Sequence, residues 1–283
     1  MQHQHTAPLA ARQLEPEVMD GPDLDPQVHE HALAGLARLN RWAGSARIVR
    51  GEIGALLARR PGPATLLDVA CGAGDVALAL QADARRHGWP LTVRGCDRSP
   101  VAVAHAMRAA RAAGTAGAAG TVGAGTARTA RTARTARTVR AASAASAAGA
   151  AGTSDAASAG PQFFVADALA GPPLPAADIV TCSLFVHHLD EAGAVALLAR
   201  LSAASRHLLL VTDLRRTRAG LALASVAARL ATRSPVVHAD APASVRAAFT
   251  PDEARQLAQR AGLRDAVVSR VFPQRWLLRW SPA

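Results

Sequence analysis

Residues 66–80 read LLDVACGAGDVALAL and hold the most informative pattern in the chain. An apolar run typical of a buried strand passes into a turn that contains Gly72 and Gly74, and helical apolar spacing follows. The backbone N–H groups of such a turn and of the helix N-terminus point at a ligand, and glycine has no Cβ to block its approach. The stretch therefore predicts an α/β fold with a ligand site at its first strand-to-helix turn.

Two acidic residues, Asp68 and Asp75, flank this turn and help to choose between two kinds of ligand. Residues 72–77 fit the G-x-G-x-x-G/A pattern of dinucleotide-binding folds, and Asp97 follows at about the 20-residue spacing of a ribose-binding acid. Carboxylates at the strand end and in the first helical turn would, however, repel a pyrophosphate. They favour a ligand without phosphates that carries positive charge.

Residues 67–74, LDVACGAG, resemble motif I of the class I S-adenosylmethionine-dependent methyltransferases, whose pattern is Asp/Glu-x-Gly-x-Gly-x-Gly. Ala70 takes the place of the first glycine, a change that methyltransferases similar to those of ubiquinone and menaquinone biosynthesis tolerate. The sulfonium and ammonium groups of S-adenosylmethionine satisfy the charge preference of the two acids. We therefore favour S-adenosylmethionine as the cofactor, with an NAD(P)-dependent oxidoreductase as the alternative that uses the same turn.

The resemblance implies that the cofactor lies along the ends of the first four strands. The implied cofactor-binding residues are Asp68, Ala70, Cys71, Gly72, Gly74, Asp97, Arg98, Asp167, Ala168, Ser183 and Phe185. Asp97, in a Gly-x-Asp-x-Ser motif, would bind the ribose hydroxyls with Arg98 beside the adenine, and Asp167 would accept a hydrogen bond from the adenine amino group. Ser183 and Phe185 would lie beside the sulfonium. No set of metal ligands is predicted.

Apolar periodicity predicts strands that alternate with helices, followed by a β-hairpin. The strands predicted after the first one cover residues 91–97, 162–168, 177–183, 207–213, 266–272 and 275–280. The resemblance implies a Rossmann-like α/β fold with a seven-stranded, mostly parallel sheet, a C-terminal antiparallel hairpin strand and helices on both faces. Residues 61–283 form this methyltransferase domain, and helical spacing over about residues 28–59 predicts a helical cap within residues 18–60.

Three further segments are predicted to lie outside the conserved pattern of strands and helices. Residues 1–17 are polar and contain two Pro, which predicts a disordered tail. Residues 112–160 almost lack large apolar side chains, so they cannot offset an ordering cost of about 1–2 kcal/mol per residue and are predicted to be a disordered, low-complexity insertion. Residues 213–248 lie where the family places an acceptor lid, with an apolar helix over residues 219–231 and then a proline-containing loop.

Methyl transfer from a sulfonium is an in-line displacement with an activated donor, so the protein mainly supplies positioning and, for a hydroxyl acceptor, a base. His187 and His188 are the predicted base candidates because imidazole titrates near neutrality and both follow the fourth strand. The pair could equally hold its loop by hydrogen bonds, and both interpretations stay open. The sequence thus predicts methylation of an oxygen, in preference to a carbon, of a small hydrophobic metabolite. A binding module that keeps the cofactor pocket without catalysis is a further alternative.

Composition bears on partners and compartment. The formal net charge of +11 would permit nucleic-acid binding, but basic and aromatic residues do not interleave, and no Asn/Asp-Pro-Pro-Tyr/Phe signature follows the fourth strand. Neither a signal-peptide pattern nor a run of about 18 apolar residues occurs. Cys71, Cys96 and Cys182 form no C-x-x-C pair, which is typical of a reducing compartment. We therefore expect a cytoplasmic protein with a small-molecule acceptor, no nucleic-acid partner, no membrane insertion and an oligomeric state that stays open.

Overall fold

A computed structural model of the chain describes residues 9, 11–21, 24–120 and 160–282. Residues 121–159, where most of the predicted disordered insertion falls, lie outside the described residues, as do residues 1–8 of the predicted tail.

A seven-stranded sheet forms the centre of the described part of the chain, in the order β3-β2-β1-β4-β5-β7-β6. The five strands from β3 to β5 are parallel, whereas β7 is antiparallel to both β5 and β6. This topology confirms the predicted sheet and its C-terminal hairpin. The strands are β1 (Ala64–Val69), β2 (Leu91–Asp97), β3 (Gln162–Val165), β4 (Ala177–Ser183), β5 (Ser205–Leu214), β6 (Val267–Val271) and β7 (Arg275–Trp280).

Helices cover both faces of the sheet, each over its own hydrophobic core. On one face, Leu201 and Leu257 pack two helices against β4 and β5. On the other face, Ile53, Leu80 and Val103 pack three helices against β1 and β2. The helices are α1 (Pro26–Trp42), α2 (Ser45–Arg59), α3 (Asp75–His87), α4 (Pro100–Gly120), α5 (Glu191–Ala204), α6 (Arg218–Ala231), α7 (Pro235–Ala247) and α8 (Pro251–Arg260), with short 3-10 helices at Val18–Asp20 and Val186–His188.

Capping residues explain where several helices begin. Asp25 accepts hydrogen bonds from the backbone at the start of α1, and Pro26 occupies the first helical position, where its missing N–H has no cost. Thr250 and Glu253 form the predicted reciprocal capping box of α8. The helical cap that was predicted as one segment is two helices, because Gly44 adopts a left-handed conformation with φ of 68° between α1 and α2.

The second half of the predicted acceptor lid is a helix, α7, rather than a loop. Ser234 caps it, and Pro235 stands at its first position. Pro242 lies inside the helix and cannot donate to the preceding turn. Val237 and Val245 are buried on the same helix, so the packing of its apolar face offsets that lost hydrogen bond.

Residues 11–17, which the sequence predicts to be part of a disordered tail, contact the folded chain together with residues 18–21. The backbone N–H groups of Val18 and Met19 donate to the carboxylate of Asp240 on α7, at 2.9 and 3.0 Å. Arg12 donates to the carbonyl of His187 at 2.8 Å. Polar contacts with residues more than 170 positions away order this segment, and composition does not register such contacts.

The helix α4 extends to Gly120 and so includes the first residues of the tract that the sequence predicts to be disordered. Alanine dominates this part of the tract, and alanine has the highest intrinsic helix propensity.

Candidate active site

The turn between β1 and α3 is built on three residues with positive φ. Ala70, Gly72 and Gly74 have φ of 54°, 51° and 74°, a region that side chains disfavour. A Cβ at Gly74 would lie 2.7 Å from the Phe163 ring and 2.8 Å from Ala106, whereas one at Gly72 would meet nothing within 4 Å. The Gly74 position is thus needed for packing inside the fold, and the Gly72 position leaves the turn open to a ligand.

Asp97 fastens this turn to the end of β2. Its Oδ2 accepts from the backbone N–H of Gly72 at 2.8 Å, and its Oδ1 accepts from that of Ser99 at 2.9 Å. Carboxylate oxygens have further lone pairs, so these bonds leave acceptor capacity for a ligand hydroxyl. The backbone contact to Gly72 is a role that the sequence did not predict for Asp97.

A cavity of about 170 Å³ lies at the carboxyl ends of β1, β4 and β5, under α1, α6 and α7. It brings together seven of the predicted site residues, namely Asp68, Ala70, Cys71, Gly72, Ser183, His187 and His188. The other predicted residues do not line it. They are Gly74 at the start of α3, Asp97 behind the turn, the exposed Arg98 and Asp167, the buried Ala168 and the half-buried Phe185.

Two carboxyl groups on the turn side of this cavity have raised pKa values. Burial raises the pKa of Asp68 to about 7, although Thr181 donates to its Oδ1 at 2.8 Å. Burial also raises the pKa of Asp75 to about 6, against a hydrogen bond from Asn40. A cationic ligand would favour the ionised form of both groups. Ser183, with a buried hydroxyl that has no partner among the described residues, lies in the same cavity.

His187 is held between two carboxylates. Its Nδ1 lies 2.7 Å from Oδ1 of Asp213, and its Nε2 lies 3.5 Å from Oε1 of Glu17. Burial by itself lowers the pKa of His187, but Asp213 and Glu17 outweigh that effect and raise it to about 10. An imidazole that keeps its proton at neutral pH cannot accept one from a substrate. The geometry therefore assigns His187 the loop-holding role and argues against it as the base.

His188 has different surroundings from its neighbour. Its ring is tilted against that of His187 at a centroid distance of 4.3 Å and against that of Phe185 at 5.8 Å. Its Nε2 lies 3.9 Å from Oε2 of Glu17, and its side chain is 20% exposed. Both predicted base candidates therefore line the cavity, but with different neighbours.

The chain matches the family model of a methyltransferase domain over residues 42–268. The chain belongs to the S-adenosylmethionine-dependent methyltransferases. No curated protein sequence matches it. None of the described helices combines the length and the apolar character that crossing a membrane requires.

Solved structures with the same fold differ widely in sequence from this methyltransferase. An O-methyltransferase family protein from Burkholderia thailandensis is 18% identical with a TM-score of 0.55, and the match covers 90% of this chain and 60% of that one. An S-adenosylmethionine-dependent methyltransferase from Aquifex aeolicus is 14% identical with a TM-score of 0.50, covering 92% and 100%. Magnesium protoporphyrin IX methyltransferase from Synechocystis, with bound S-adenosylhomocysteine, is 14% identical with a TM-score of 0.49, covering 94% and 91%. At these identities the likeness to the first two structures shows the fold alone.

The cavity residues of this methyltransferase fit the amino-acid end of S-adenosylmethionine. The open Gly72 position leaves room for a ligand at the turn, and the Asp68 and Asp75 carboxyl groups would suit an ammonium. The unpartnered Ser183 hydroxyl offers a further polar contact.

Sequence reasoning missed two residues that the structure brings to this site, Glu17 and Arg275. Glu17 lies in the segment predicted to be a disordered tail, and its Oε1 accepts from the Ser244 hydroxyl at 2.6 Å. Arg275 opens the second strand of the C-terminal hairpin. No local sequence pattern predicts either residue as part of the site, because contacts with residues far away in the sequence position both of them.

Glu17, His187 and His188 also place donor atoms within 4.8 Å of one another, a spacing that could hold a metal ion. The proton that Asp213 and Glu17 keep on His187 would compete with a cation for Nε2. We therefore interpret the contact between Glu17 and His187 in this cluster as an ion pair that holds the loop after β4.

Proposed function

We propose that this methyltransferase transfers the methyl group of S-adenosylmethionine to an oxygen atom of a small hydrophobic acceptor. The observation that carries the proposal is the two-sided character of the cavity. Its turn side holds the two buried acids and Ser183, and its other side is largely apolar. The apolar lining residues outside the turn are Met19, Leu36, Leu39, Leu184, Leu214, Ala224, Val237 and Ala241.

When bound, the cofactor would supply an electrophilic methyl group on a sulfonium, so the protein has to orient the reactants and exclude water. Asp68 would bind the ammonium, and the open turn at Gly72 would let the backbone approach the ligand. The helices α6 and α7 would cover the acceptor and keep water from it.

His188 is the residue that we propose to accept the acceptor's hydroxyl proton. It lines the same cavity as Ser183, between the turn and the apolar wall. The neighbouring His187, whose pKa Asp213 and Glu17 raise to about 10, would keep its own proton and would not compete with His188 for the proton of the acceptor.

The test is incubation of the purified protein with S-adenosylmethionine and a panel of phenols and hydroxyquinones, with products identified by mass spectrometry. We expect methyl ethers from hydrophobic hydroxyl compounds. His188→Gln should lower kcat by about 10²–10⁴-fold without abolishing cofactor binding, because it removes general base catalysis. His207→Gln, a change of a half-buried histidine on β5 that does not line the cavity, is the matched control and should leave kcat unchanged.

Three outcomes would contradict parts of this proposal. Carbon-methylated products would refute oxygen as the acceptor atom. Binding of S-adenosylhomocysteine with no product from any acceptor would favour a non-catalytic binding module. Calorimetric binding of NAD with no binding of S-adenosylhomocysteine would favour an oxidoreductase.

A further inference from the structure

Arg275 is a buried arginine that lines the cavity and forms no ion pair among the described residues. It is the first residue of β7, and it pairs in register with Leu214 at the end of β5. Because β7 is antiparallel to β5, it begins at the sheet edge where the parallel strands end and where the cavity lies. The residue is only 3% exposed.

Among the described residues, the Arg275 side chain has one hydrogen-bond partner. Its Nη1 donates to Oγ of Ser45, the first residue of α2, at 2.6 Å. In the described part of the chain, no carboxylate lies close enough to form an ion pair with it. A guanidinium has five N–H donors in a planar fork, so a single hydroxyl partner is a poor match for a buried one.

The charges around Arg275 point to the chemistry of the missing partner. Burial lowers the pKa of Arg275 to about 10, while Asp213 and Asp75 act on it from a longer distance. A buried cation is stable when a carboxylate pairs with it and hydrogen-bonds to its fork. An anion that enters the cavity would supply that pairing.

We propose that Arg275 binds the α-carboxylate of the amino-acid end of S-adenosylmethionine. This inference rests on the cofactor occupying the cavity as proposed above. The amino-acid end is a zwitterion, so its site needs both signs of charge. Asp68 and Asp75 suit the ammonium, and Arg275 is the arginine among the described residues that line the cavity.

The position of Arg275 favours the cofactor over the acceptor as the source of the carboxylate. Its hydroxyl partner is the first residue of α2, and one of the two carboxylates that act on it, Asp75, is the first residue of α3 in the cofactor turn; the other is Asp213 on β5. Apart from Leu214, the register partner of Arg275, the apolar lining residues outside the turn lie on α1, α6, α7, the segment that contains Met19 and the residue after β4. An arginine fork also fits a carboxylate in a bidentate geometry that a lone amide or hydroxyl would not reproduce.

The experiment compares two ligands by titration calorimetry on the full chain. One is S-adenosylhomocysteine, and the other is the analogue that lacks only its α-carboxyl group. We expect Arg275→Met to weaken binding of S-adenosylhomocysteine by roughly 10- to 100-fold, as for the loss of a charge-assisted hydrogen bond. Binding of the decarboxylated analogue should stay within about 3-fold of the wild type, which also shows that the variant is folded.

Arg279→Met is the matched control, because Arg279 lies on the same strand and pairs with Glu52 at the surface, at 2.9 Å. It should change neither affinity. An Arg275→Met variant that binds both ligands as the wild type does, or that loses both equally, would overturn the inference. Failure of the wild type to bind S-adenosylhomocysteine would instead overturn the proposed cofactor site. If the wild type forms no methyl ether but Arg275→Met weakens binding of S-adenosylhomocysteine and not of the analogue, the assignment of Arg275 is supported.

Discussion

His187 and His188 are adjacent residues of one type, and their surroundings give them different chemistry. Both line the cavity, but His187 lies between Asp213 and Glu17, which raise its pKa to about 10, whereas the ring of His188 lies against that of Phe185. The sequence alone makes the two equivalent. The partners that separate them come from β5 and from the N-terminal segment, so no local pattern could have told the two histidines apart.

Replacing Asp213 by Asn should destabilise the fold strongly. The change leaves the shape intact but removes one of the two carboxylates that hold the buried His187 imidazolium. Breaking such a buried pair costs about 3–5 kcal/mol, which denaturant unfolding at near-neutral pH would measure as a lower free energy of unfolding. Asp252→Asn is the control. Its side chain is 78% exposed and its pair with Arg255 should be worth less than about 1 kcal/mol.

The pH dependence of this loss has a definite sign. The folded pKa of His187, about 10, lies above its ordinary value of 6.5, so its contribution is complete below that ordinary value and is lost as pH rises through about 10. The difference between wild type and Asp213→Asn should therefore shrink between about pH 7 and about pH 10. A difference that grows over this range would contradict the charge pair.

At the scale of elements, the turn after β1 shows which part of the site the sequence could give. The glycine spacing, the flanking acids and the following helix predicted its form, because those features are local. The space available for a side chain at each glycine could not be predicted in this way, because it depends on residues far away in the sequence. The Gly74 Cβ position is closed by Phe163 of β3 and Ala106 of α4, both distant in sequence.

Alanine substitutions at the two glycines should therefore differ in cost. Gly74→Ala adds left-handed strain of about 1–2 kcal/mol and an overpacking cost of about 1–3 kcal/mol, since its Cβ meets two side chains below 3 Å. Gly72→Ala should cost only the strain, about 1–2 kcal/mol. Thermal or denaturant unfolding measures both. Equal losses at the two positions would show that the Gly74 neighbours can move aside.

The segment from Ala11 to Asp20 is the element that composition misjudged. Its polar character predicted disorder, whereas α7 and the loop after β4 offer it specific polar partners. The same limitation explains α7, where two prolines indicated a loop and buried apolar contacts made a helix. In both cases tertiary contacts outweighed the local preference for irregular structure, which polar residues cause in the first segment and prolines in the second.

Arg12→Ala should release this segment. Arg12 donates to the backbone carbonyls of His187, Leu189 and Ala247, and its guanidinium lies 3.8 Å from the centre of the Phe249 ring. We expect hydrogen exchange of residues 11–20 to accelerate and the free energy of unfolding to fall by about 1.5–3 kcal/mol. Arg229→Ala, which removes an exposed bond within α6, is the control and should have little effect. Unchanged exchange in residues 11–20 would show that the contacts with α7 hold the segment without Arg12.

At the scale of the whole molecule, the buried acids couple ligand binding to pH. The folded pKa values of Asp68 and Asp75, about 7 and about 6, lie above their ordinary value of 3.8. Their contribution to stability is therefore present below about pH 4 and is lost as pH rises through about 6–7. The ligand-free protein thus gives up stability to keep a negatively charged site near neutrality.

An ammonium ligand should reverse this proton balance. We expect S-adenosylhomocysteine to release protons when it binds at about pH 6.5, and its affinity to rise from about pH 5.5 to about pH 7.5 and then level off. Calorimetry in two buffers of different ionisation enthalpy measures the released protons. Proton uptake on binding would contradict the assignment of Asp68 to the ammonium.

The fold as a whole was predictable because it repeats local patterns, and strand-to-helix alternation led directly to the observed sheet. The cavity was less predictable than the fold, because residues from the N-terminal segment, α1, α6, α7 and β7 line it together with the turn. The predicted adenine-side residues Asp97, Arg98 and Asp167 stay outside the cavity lining, and their roles remain predictions.

The N-terminal segment has a practical consequence for anyone who prepares this enzyme. The family model begins at residue 42, yet the cavity depends on Glu17 and Met19, which lie before that boundary. A protein truncated to residues 42–268 would lack Glu17 and Met19 and so part of the cavity lining. An affinity tag fused close to Arg12 would lie next to the same lining residues. Low turnover from such material would then reflect how it was engineered and say nothing about the choice of acceptor.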